Sequence, residues 1–315
     1  MRTRYGRTRW WVAAGLSLAL LLTGCGGGGS SPGTGDEETL SGTIRIDGSS
    51  TVYPISQAVA EEFMYEYPGV NVTVGFSGTG GGFKKSTAGE IDISNASRPI
   101  KEEELAMAEQ NGIEFIELQV AIDGLSVVVN PANDFVDYLT VEELKKIWEP
   151  NSTVRYWSDV RPEWPQEEIK LYGPGPDSGT FDYFTEAVVG ESGASRADYT
   201  ASEDDNVLVT GVAGDKYSLG YFGYAYYKAN KDKIKAVPID GGNGPVEPTV
   251  ENINQGAYTP LSRPLYIYVN KEYYDTRPEL QTFVQYYMDI VNDIAQEVGF
   301  VPLPEDVLAE QKAKL

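Results

Sequence analysis

Strand-like and helix-like hydrophobic patterns alternate along most of this chain, and this alternation restricts its fold more than any other feature. Residues 43–46 and 70–74 alternate apolar and polar side chains with the two-residue period of a half-buried strand. Between them apolar residues recur every four positions, which predicts a helix over residues 54–66. Strands that alternate with helices in this way predict an α/β fold.

The alternation continues towards the end of the chain. The next predicted elements are a strand at 91–93, a Glu-rich helix at 101–110 and a buried strand at 125–130. After Asn130 a second group begins, and it comprises a helix following the capping-box spacing at 140–143, a strand at 169–172, a helix at 181–189, and strands at 219–222 and 234–239. A buried strand at 264–269 and an amphipathic helix at 278–298 complete the pattern.

The N-terminal residues have the pattern of a targeting segment. Four arginines precede an apolar stretch at 10–22, which is too short for a comfortable membrane span. The stretch closes on residues 22–25, which resemble a bacterial lipobox, so we predict a signal peptide over 1–24 and a lipid anchor on Cys25. A free thiol after an ordinary signal peptide is the alternative. Residues 25–40 are rich in Gly, Ser and Pro, which predicts a flexible tether to the membrane.

Composition excludes several classes of site. The chain has no His, so it cannot form a Ser-His-Asp triad or a His-bearing metal site, and its one Cys cannot form an intramolecular disulfide. It has 25 Lys and Arg against 47 Asp and Glu, a net charge of −22, which argues against nucleic acid as a partner. We therefore expect no metal site and no organic cofactor.

Three segments combine Gly with hydroxyl residues where a predicted strand leads into a helix: 47–52, 76–84 and 173–181. Free backbone N–H groups at such a junction favour an anion, and Gly lets the backbone approach it closely. Each segment alone is also explained as a simple helix cap. Neither the Walker spacing nor Gly-x-Gly-x-x-Gly is present in the Gly-rich loop, so the three together favour a cradle for a small anion.

The order of four motifs resembles the phosphate-binding proteins of the PstS type, the extracytoplasmic components of phosphate ABC transporters. The motifs lie at 48–54, 78–82, 91–99 and 177–181, and the likeness extends from about residue 42 to about residue 301. The resemblance implies a two-lobed type II periplasmic-binding-protein fold, with mixed sheets flanked by helices. It also implies inorganic phosphate as the ligand, a membrane-embedded ABC permease as the partner, and an extracytoplasmic monomer.

The resemblance also implies which residues contact phosphate. They are Ser50, Thr51, Val52, Thr79, Ser97, Ser178, Gly179 and Thr180. Two departures from the family pattern matter: many relatives have Asp where this chain has Ser97, and Arg where it has Pro174. Asp47, Asp123 or Asp177 is expected to accept the phosphate proton in place of the missing Asp.

Arginine positions leave two alternatives open. Arg98 is expected to supply the missing positive charge, and the alternative is a surface ion pair with Glu102 or Glu103. Arg263 lies near the predicted hinge, either as a second cation beside the cleft or as a charge at a strand edge.

The element groups also predict the lobes. The chain is expected to cross between lobes near residues 122–124 and again near 262–264, so that two strands form the hinge. Lobe 1 then comprises 41–123 and 264–315, and lobe 2 comprises 124–263. The predicted function is binding of phosphate in the cleft between the lobes, with a rigid-body closure around it.

Two other classes of function were compared with these residues, a sensing or adhesive lipoprotein and an enzyme. A phosphate-sensing or adhesive lipoprotein would keep the same fold and pocket. An enzyme would need Ser178 as a nucleophile or scattered acids as a phosphatase site, and without His no convincing base is available. We therefore expect a binding protein rather than an enzyme.

Overall fold

The computed structural model describes residues 40–176 and 178–315, which form strands and helices in alternation. The strands are β1 Gly42–Gly48, β2 Val70–Val74, β3 Ile93–Ala96, β4 Phe115–Val129, β5 Leu139–Thr140, β6 Lys170–Gly173, β7 Thr200–Ala201, β8 Ser218–Gly223, β9 Lys235–Ala236, β10 Ile239–Asp240, β11 Pro245–Val246 and β12 Ser262–Asn270. The helices are α1 Tyr53–Glu66, α2 Thr79–Ser86, α3 Glu102–Gln110, α4 Val141–Trp148, α5 Trp157–Val160, α6 Gly179–Phe184, α7 Asp205–Gly214, α8 Tyr224–Asn230, α9 Val250–Asn254, α10 Lys271–Thr276, α11 Pro278–Glu297 and α12 Glu305–Lys312. A π-helical turn, Thr185–Val189, follows α6 directly.

The main sheet has the strand order β2-β1-β3-β12-β4-β8-β6-β7, with β9 pairing to β4. β1 is parallel to β2 and β3, whereas β12 is antiparallel to β3 and β4. A small second sheet contains β11, β10 and β5. The mixed sheets flanked by helices that the sequence predicts are thus present.

Strand β4 joins two parts of this sheet. Up to Gly124 it pairs with β12, and from Leu125 onwards it pairs with β8. Asp123 pairs in register with Arg263, two residues before β4 changes its partner at Leu125. The backbone therefore brings a buried carboxylate and a cation together where the two halves of the sheet meet.

Two hydrophobic clusters lie on either side of that junction. The first packs α1 and α11 against β1 and includes Ile44, Phe63 and Phe283, all fully buried. Each such side chain contributes about 1.5–3 kcal/mol relative to exposure. The second cluster is built around Trp148 and Tyr221.

The second cluster also takes in a segment from near the C-terminus. Val301 and Leu303 belong to it, and Val301 forms an isolated antiparallel bridge with Ile122. The segment after α11 therefore packs against the junction of the two halves, although α11 itself packs on the first cluster.

Several element boundaries differ from the sequence predictions. β4 begins at Phe115, not at 125, because its first half is flanked by β12 and carries polar residues such as Glu117 that hide the pattern. The strand predicted at 91–93 forms as β3 at Ile93–Ala96. The Asp92 side chain accepts a hydrogen bond from the Arg45 backbone N–H at 2.6 Å in place of a ladder bond.

Two further predictions were wrong in detail, and several short helices were not predicted. The helix predicted over 181–189 divides into α6 and the π-helical turn. The strand predicted over 234–239 divides into β9 and β10, and Pro238 between them has no N–H to donate. The helices that were not predicted are α5, α7, α8, α9, α10 and α12, none of which is longer than 10 residues. No helix within the described residues combines the length and the apolarity that a bilayer span requires.

Candidate functional site

A cleft of about 540 Å³ opens where the loops after β1, β2 and β3 face α6 and the beginning of β12. Its lining residues are Ser49, Ser50, Thr51, Gly78, Thr79, Gly80, Ser97, Arg98, Pro99, Asp182, Tyr183, Glu186, Ala187, Ser192, Thr259, Pro260, Ser262, Arg263 and Pro264. Hydroxyl groups and two guanidinium groups therefore share one cavity, which suits an oxyanion.

The first loop depends on close packing at its glycine. Gly48 has φ +136°, and a Cβ there would lie 2.2 Å from the backbone oxygen of Asn95. The next residue, Ser49, donates its N–H to that same oxygen at 2.9 Å, and its Oγ accepts the Thr51 N–H at 3.2 Å. The Val52 side chain is fully buried in the first core, so this residue can offer the cleft only its backbone.

The second and third loops meet through their hydroxyl groups. Thr79 begins α2, and its Oγ1 lies 3.1 Å from the Oγ of Ser97, the residue after β3. The same Oγ1 accepts the Ser97 N–H at 3.2 Å. Gly78 precedes them with φ +78°, a conformation that residues with a Cβ rarely adopt. Both predicted contact residues on these loops thus line the cleft.

The fourth segment reaches the first loop at Gly179. Ser178 caps α6, with its Oγ accepting the Thr180 N–H at 3.2 Å. A Cβ at Gly179 would lie 3.4 Å from both Cα and Oγ1 of Thr51. These three residues do not line the cleft themselves, whereas the next turns of the helix do, through Asp182 and Glu186.

Arg98 lies in the cleft wall, but its guanidinium is already occupied. Its two terminal nitrogens each donate to Glu104 at 2.8 Å, and the group lies 5.4 Å from the centre of the Phe83 ring. The partner is therefore Glu104 and not Glu102 or Glu103. Burial alone would raise the pKa of Glu104, but hydrogen bonds from Arg98 and from the Lys101 N–H lower it overall.

Arg263 lines the cleft and has contacts on several sides. Its Nε lies 3.4 Å from Asp123 Oδ2, its Nη2 donates to Thr51 Oγ1 at 3.1 Å, and its Nη1 lies 3.6 Å from Glu186 Oε2. The Tyr183 ring lies beneath the guanidinium at 3.6 Å. Burial raises the pKa of Asp123, against the opposing effect of Arg263. Of the two alternatives for Arg263, the cation beside the cleft is the one that the geometry supports.

Of the three acids that the sequence suggested, the two that the structure describes, Asp47 and Asp123, do not line the cleft. Asp47 accepts from Ser77 and Lys85, each at 2.6 Å, and is not part of the cleft lining. Asp123 lies behind Arg263, and Asp177 lies outside the described residues. Among the described residues, the carboxylates that line the cleft are Asp182 and Glu186.

Sequence reasoning missed these two acids, although a signal was present. They lie four residues apart within the predicted helix 181–189, a spacing that places both on one helix face. The predicted lipidation site Cys25 and the predicted signal peptide lie outside the described residues. No group of three or more potential metal ligands occurs within 40–176 and 178–315.

A family model described as "PBP superfamily domain" matches residues 33–289. The chain is 51% identical over 266 residues to Protein SphX of Synechocystis sp., covering 84% of this chain and 79% of that protein. It is 42% identical over 301 residues to the phosphate-binding protein PstS of Staphylococcus saprophyticus, covering 95% of this chain and 91% of that protein. These relatives confirm the resemblance to phosphate-binding proteins of the PstS type.

A solved structure supports the same conclusion for the fold. The crystal structure of a possible phosphate binding protein from Planctomyces limnophilus is 52% identical to this chain, with a TM-score of 0.84. The match covers 87% of this chain and 98% of that protein. The predicted periplasmic-binding-protein fold is thereby confirmed.

Proposed function

The chain belongs to the PBP superfamily, and we propose that it binds inorganic phosphate in the cleft around Arg263 and delivers it to a membrane-embedded ABC permease. One observation carries this proposal. The Arg263 guanidinium lines a cavity surrounded by hydroxyl groups from three separate loops, and it already donates to one of them, Thr51. Relatives that are named for phosphate binding give the anion its identity.

Guanidinium chemistry explains why Arg263 is suited to this role. Its planar fork can give two parallel hydrogen bonds to one oxyanion, and each charge-assisted bond is stronger than a neutral one. Asp123 and Tyr183 fix the orientation of the fork from two sides. Arg263 is thus oriented before the ligand arrives, which lowers the entropic cost of binding.

The remaining ligand set keeps the residues implied by the family motif. It comprises Ser50, Thr51, Val52 through its backbone, Thr79, Ser97, Arg98, Ser178, Gly179 and Thr180, with Arg263 added. We propose that Arg98 contributes less than Arg263, because Glu104 must first release its guanidinium.

Closure of the lobes is part of the proposal. Lobe 1 would comprise 41–123 and 264–315, and lobe 2 would comprise 124–263, with β4 and β12 as the hinge. The cleft, about 540 Å³ in volume, is far larger than one phosphate ion. Phosphate would therefore bring Ser178, Gly179 and Thr180 closer to the first loop, and the permease would recognise that closed state.

The family is one of substrate-binding proteins rather than enzymes, and we propose that this chain also performs no catalysis. Its cleft offers no His to activate the hydroxyl groups that line it. Incubation with a chromogenic phosphate ester should release no product above the buffer rate. Turnover that Ser178→Ala abolishes would contradict this part of the proposal.

The anchor is proposed from the sequence alone. A lipid on Cys25 would hold a monomeric extracytoplasmic body at the membrane through the tether at 25–40. In cells, Cys25→Ala should move the protein from the membrane fraction to the soluble extracytoplasmic fraction. An unchanged membrane fraction would contradict lipidation at this residue.

Calorimetry on thoroughly desalted protein tests the ligand itself. We expect one phosphate bound per chain, together with a rise in the unfolding temperature when phosphate is added. Absence of heat and of any thermal shift at millimolar phosphate would refute the proposed function.

A further inference from the structure

Glu186 is the carboxylate that faces the Arg263 guanidinium from the side of the cleft that is open to solvent. Its Oε2 lies 3.6 Å from Arg263 Nη1, and both residues line the cavity. From this contact, and resting on the proposed phosphate binding, we infer that Glu186 is an internal competitor of the ligand. Its carboxylate occupies the edge of the Arg263 guanidinium that the anion would take, and it must leave before the anion can bind there.

The two carboxylates on Arg263 differ in whether they can leave. The Asp123 side chain is 5% exposed, and its removal from the cation would leave a buried group without a partner. The Glu186 side chain is 62% exposed, and its contact with the cation is longer than a hydrogen bond. Asp123 is therefore the permanent partner of Arg263, and Glu186 is the exchangeable one.

The position of Glu186 in the fold supports this exchange. It lies in the π-helical turn Thr185–Val189, which continues α6 in the half of the molecule that contains the second core. Thr51, on another edge of the same guanidinium, belongs to the loop before α1 in the other half. Arg263 thus joins the two halves of the cleft through contacts that the ligand has to rearrange.

Electrostatics make the departure of Glu186 necessary. A phosphate oxygen bound to Arg263 Nη1 would lie beside the Glu186 carboxylate, and the two negative charges would repel each other. Because Glu186 is largely exposed, its side chain can rotate into water, where the charge is well solvated. The ion pair therefore subtracts from the affinity for phosphate instead of adding to it.

Replacement of the carboxylate by an amide tests the inference. Glu186→Gln should bind phosphate about two- to fivefold more tightly than the unchanged protein, since exposed ion pairs of this kind are weak. Calorimetry at fixed, low ionic strength gives the dissociation constant, and Glu186→Ala should show the same direction. Circular dichroism establishes that each variant is folded.

Two control variants distinguish the loss of the Arg263–Glu186 ion pair from a general effect of net charge. Asp182→Asn removes the same charge from the same wall, but the structure records no ion pair between Arg263 and Asp182, so its effect should be clearly smaller. Glu163→Gln removes an exposed charge from the loop before β6, outside the cleft lining, and should leave the affinity unchanged.

Three results would overturn the inference. An unchanged affinity in Glu186→Gln would remove the competition, and an equal gain in Asp182→Asn would assign it to net charge. A loss of affinity in Glu186→Gln would make Glu186 a ligand contact that accepts the phosphate proton. Failure of the proposed function is a separate observation, because the unchanged protein would then give no heat with phosphate at all.

Discussion

Two corners of the cleft each hold an arginine, and they differ in where its partners come from. Arg98 and its partner Glu104 are six residues apart in the sequence, and the carboxylate holds the guanidinium with two short bonds. Arg263 takes its partners from segments up to 212 residues away, at longer distances of 3.1–3.6 Å. The Arg98 corner is a closed local pair, whereas the Arg263 corner is assembled by the topology.

Arg98 is thus neutralised by a carboxylate close to it in the sequence, whereas Arg263 remains available to a ligand. Two bonds at 2.8 Å satisfy the Arg98 fork, so an anion there must displace a well-placed carboxylate. The longer contacts of Arg263 leave donor capacity on a side chain that is only 15% exposed, where electrostatic interactions are stronger. The Arg263 corner is therefore the proposed centre of binding.

Removal of the Arg263 charge should have the largest effect. Arg263→Gln combined with Asp123→Asn avoids an unpaired buried carboxylate and removes two charge-assisted bonds to the ligand, each worth about 1.5–3 kcal/mol. We expect phosphate affinity to fall at least about 100-fold, measured by calorimetry. The single variant Asp123→Asn is the control for folding, and near-normal affinity in the double variant would contradict Arg263 as the main cation of the phosphate site.

Replacement of Thr180 tests whether the segment around Gly179 joins the phosphate site at Arg263 when the lobes close. Its neighbour Gly179 already approaches Thr51, so closure should bring the Thr180 hydroxyl onto the anion. Thr180→Ala should lower phosphate affinity about tenfold, through loss of one hydrogen bond to a charged group. Thr153→Ala, at an exposed position outside the cleft lining, is the matched control. An affinity equal to that control would make the segment a helix cap only.

Arg98 should matter less than either. Arg98→Ala removes a cation that Glu104 largely neutralises, so we expect phosphate affinity to fall less than tenfold. Arg98→Ala combined with Glu104→Gln should bind within about a factor of two of the unchanged protein. A loss in Arg98→Ala as large as that of the Arg263 double variant would reverse the ranking of the two corners.

Asp123 and Glu104, the carboxylate partners of Arg263 and Arg98, should change the folding stability with pH in opposite directions. The pKa of Asp123 is raised above 3.8, so folding stability is lost as pH rises through the folded-state pKa, and Asp123→Asn should remove that loss. The pKa of Glu104 is lowered below 4.5, so its contribution is present above that value and lost as pH falls. Glu104→Gln should therefore cost less than about 1 kcal/mol near neutral pH, and less still in acid.

Urea unfolding of the three proteins between about pH 3 and about pH 8 measures these differences. The free energy of unfolding of Asp123→Asn, relative to the unchanged protein, should rise with pH, whereas that of Glu104→Gln should fall. The same sign of slope in both variants would contradict the different environments of the two corners.

Local patterns allowed most of the cleft loops to be predicted. The segments around Ser50, Thr79 and Ser97 carry their glycines and hydroxyls within a few residues of a strand end, and all three line the cleft. The role of Arg263 could not be decided in the same way, because its contacts with Thr51 and Asp123 span 212 and 140 residues. The antiparallel register of β4 and β12 places Arg263 beside Asp123, and the pairing of β12 with β3 and of β3 with β1 brings the loop of Thr51 to the same corner.

The fold was predictable to a similar extent and for a similar reason. Helices such as α4 and α11 have clear apolar stripes, and both form close to where the pattern places them. The first half of β4 was missed because pairing with a distant strand, and not a local pattern, makes it a strand.

A structure of the protein with phosphate bound tests the central claim most directly. We predict one phosphate in the cleft, with an oxygen within hydrogen-bond distance of the Arg263 guanidinium and of the Thr51 hydroxyl, and with Glu186 turned away from the cation. A phosphate bound at Arg98 with the contact between Arg263 and Glu186 intact, or a cleft that stays empty at saturating phosphate, would contradict the account.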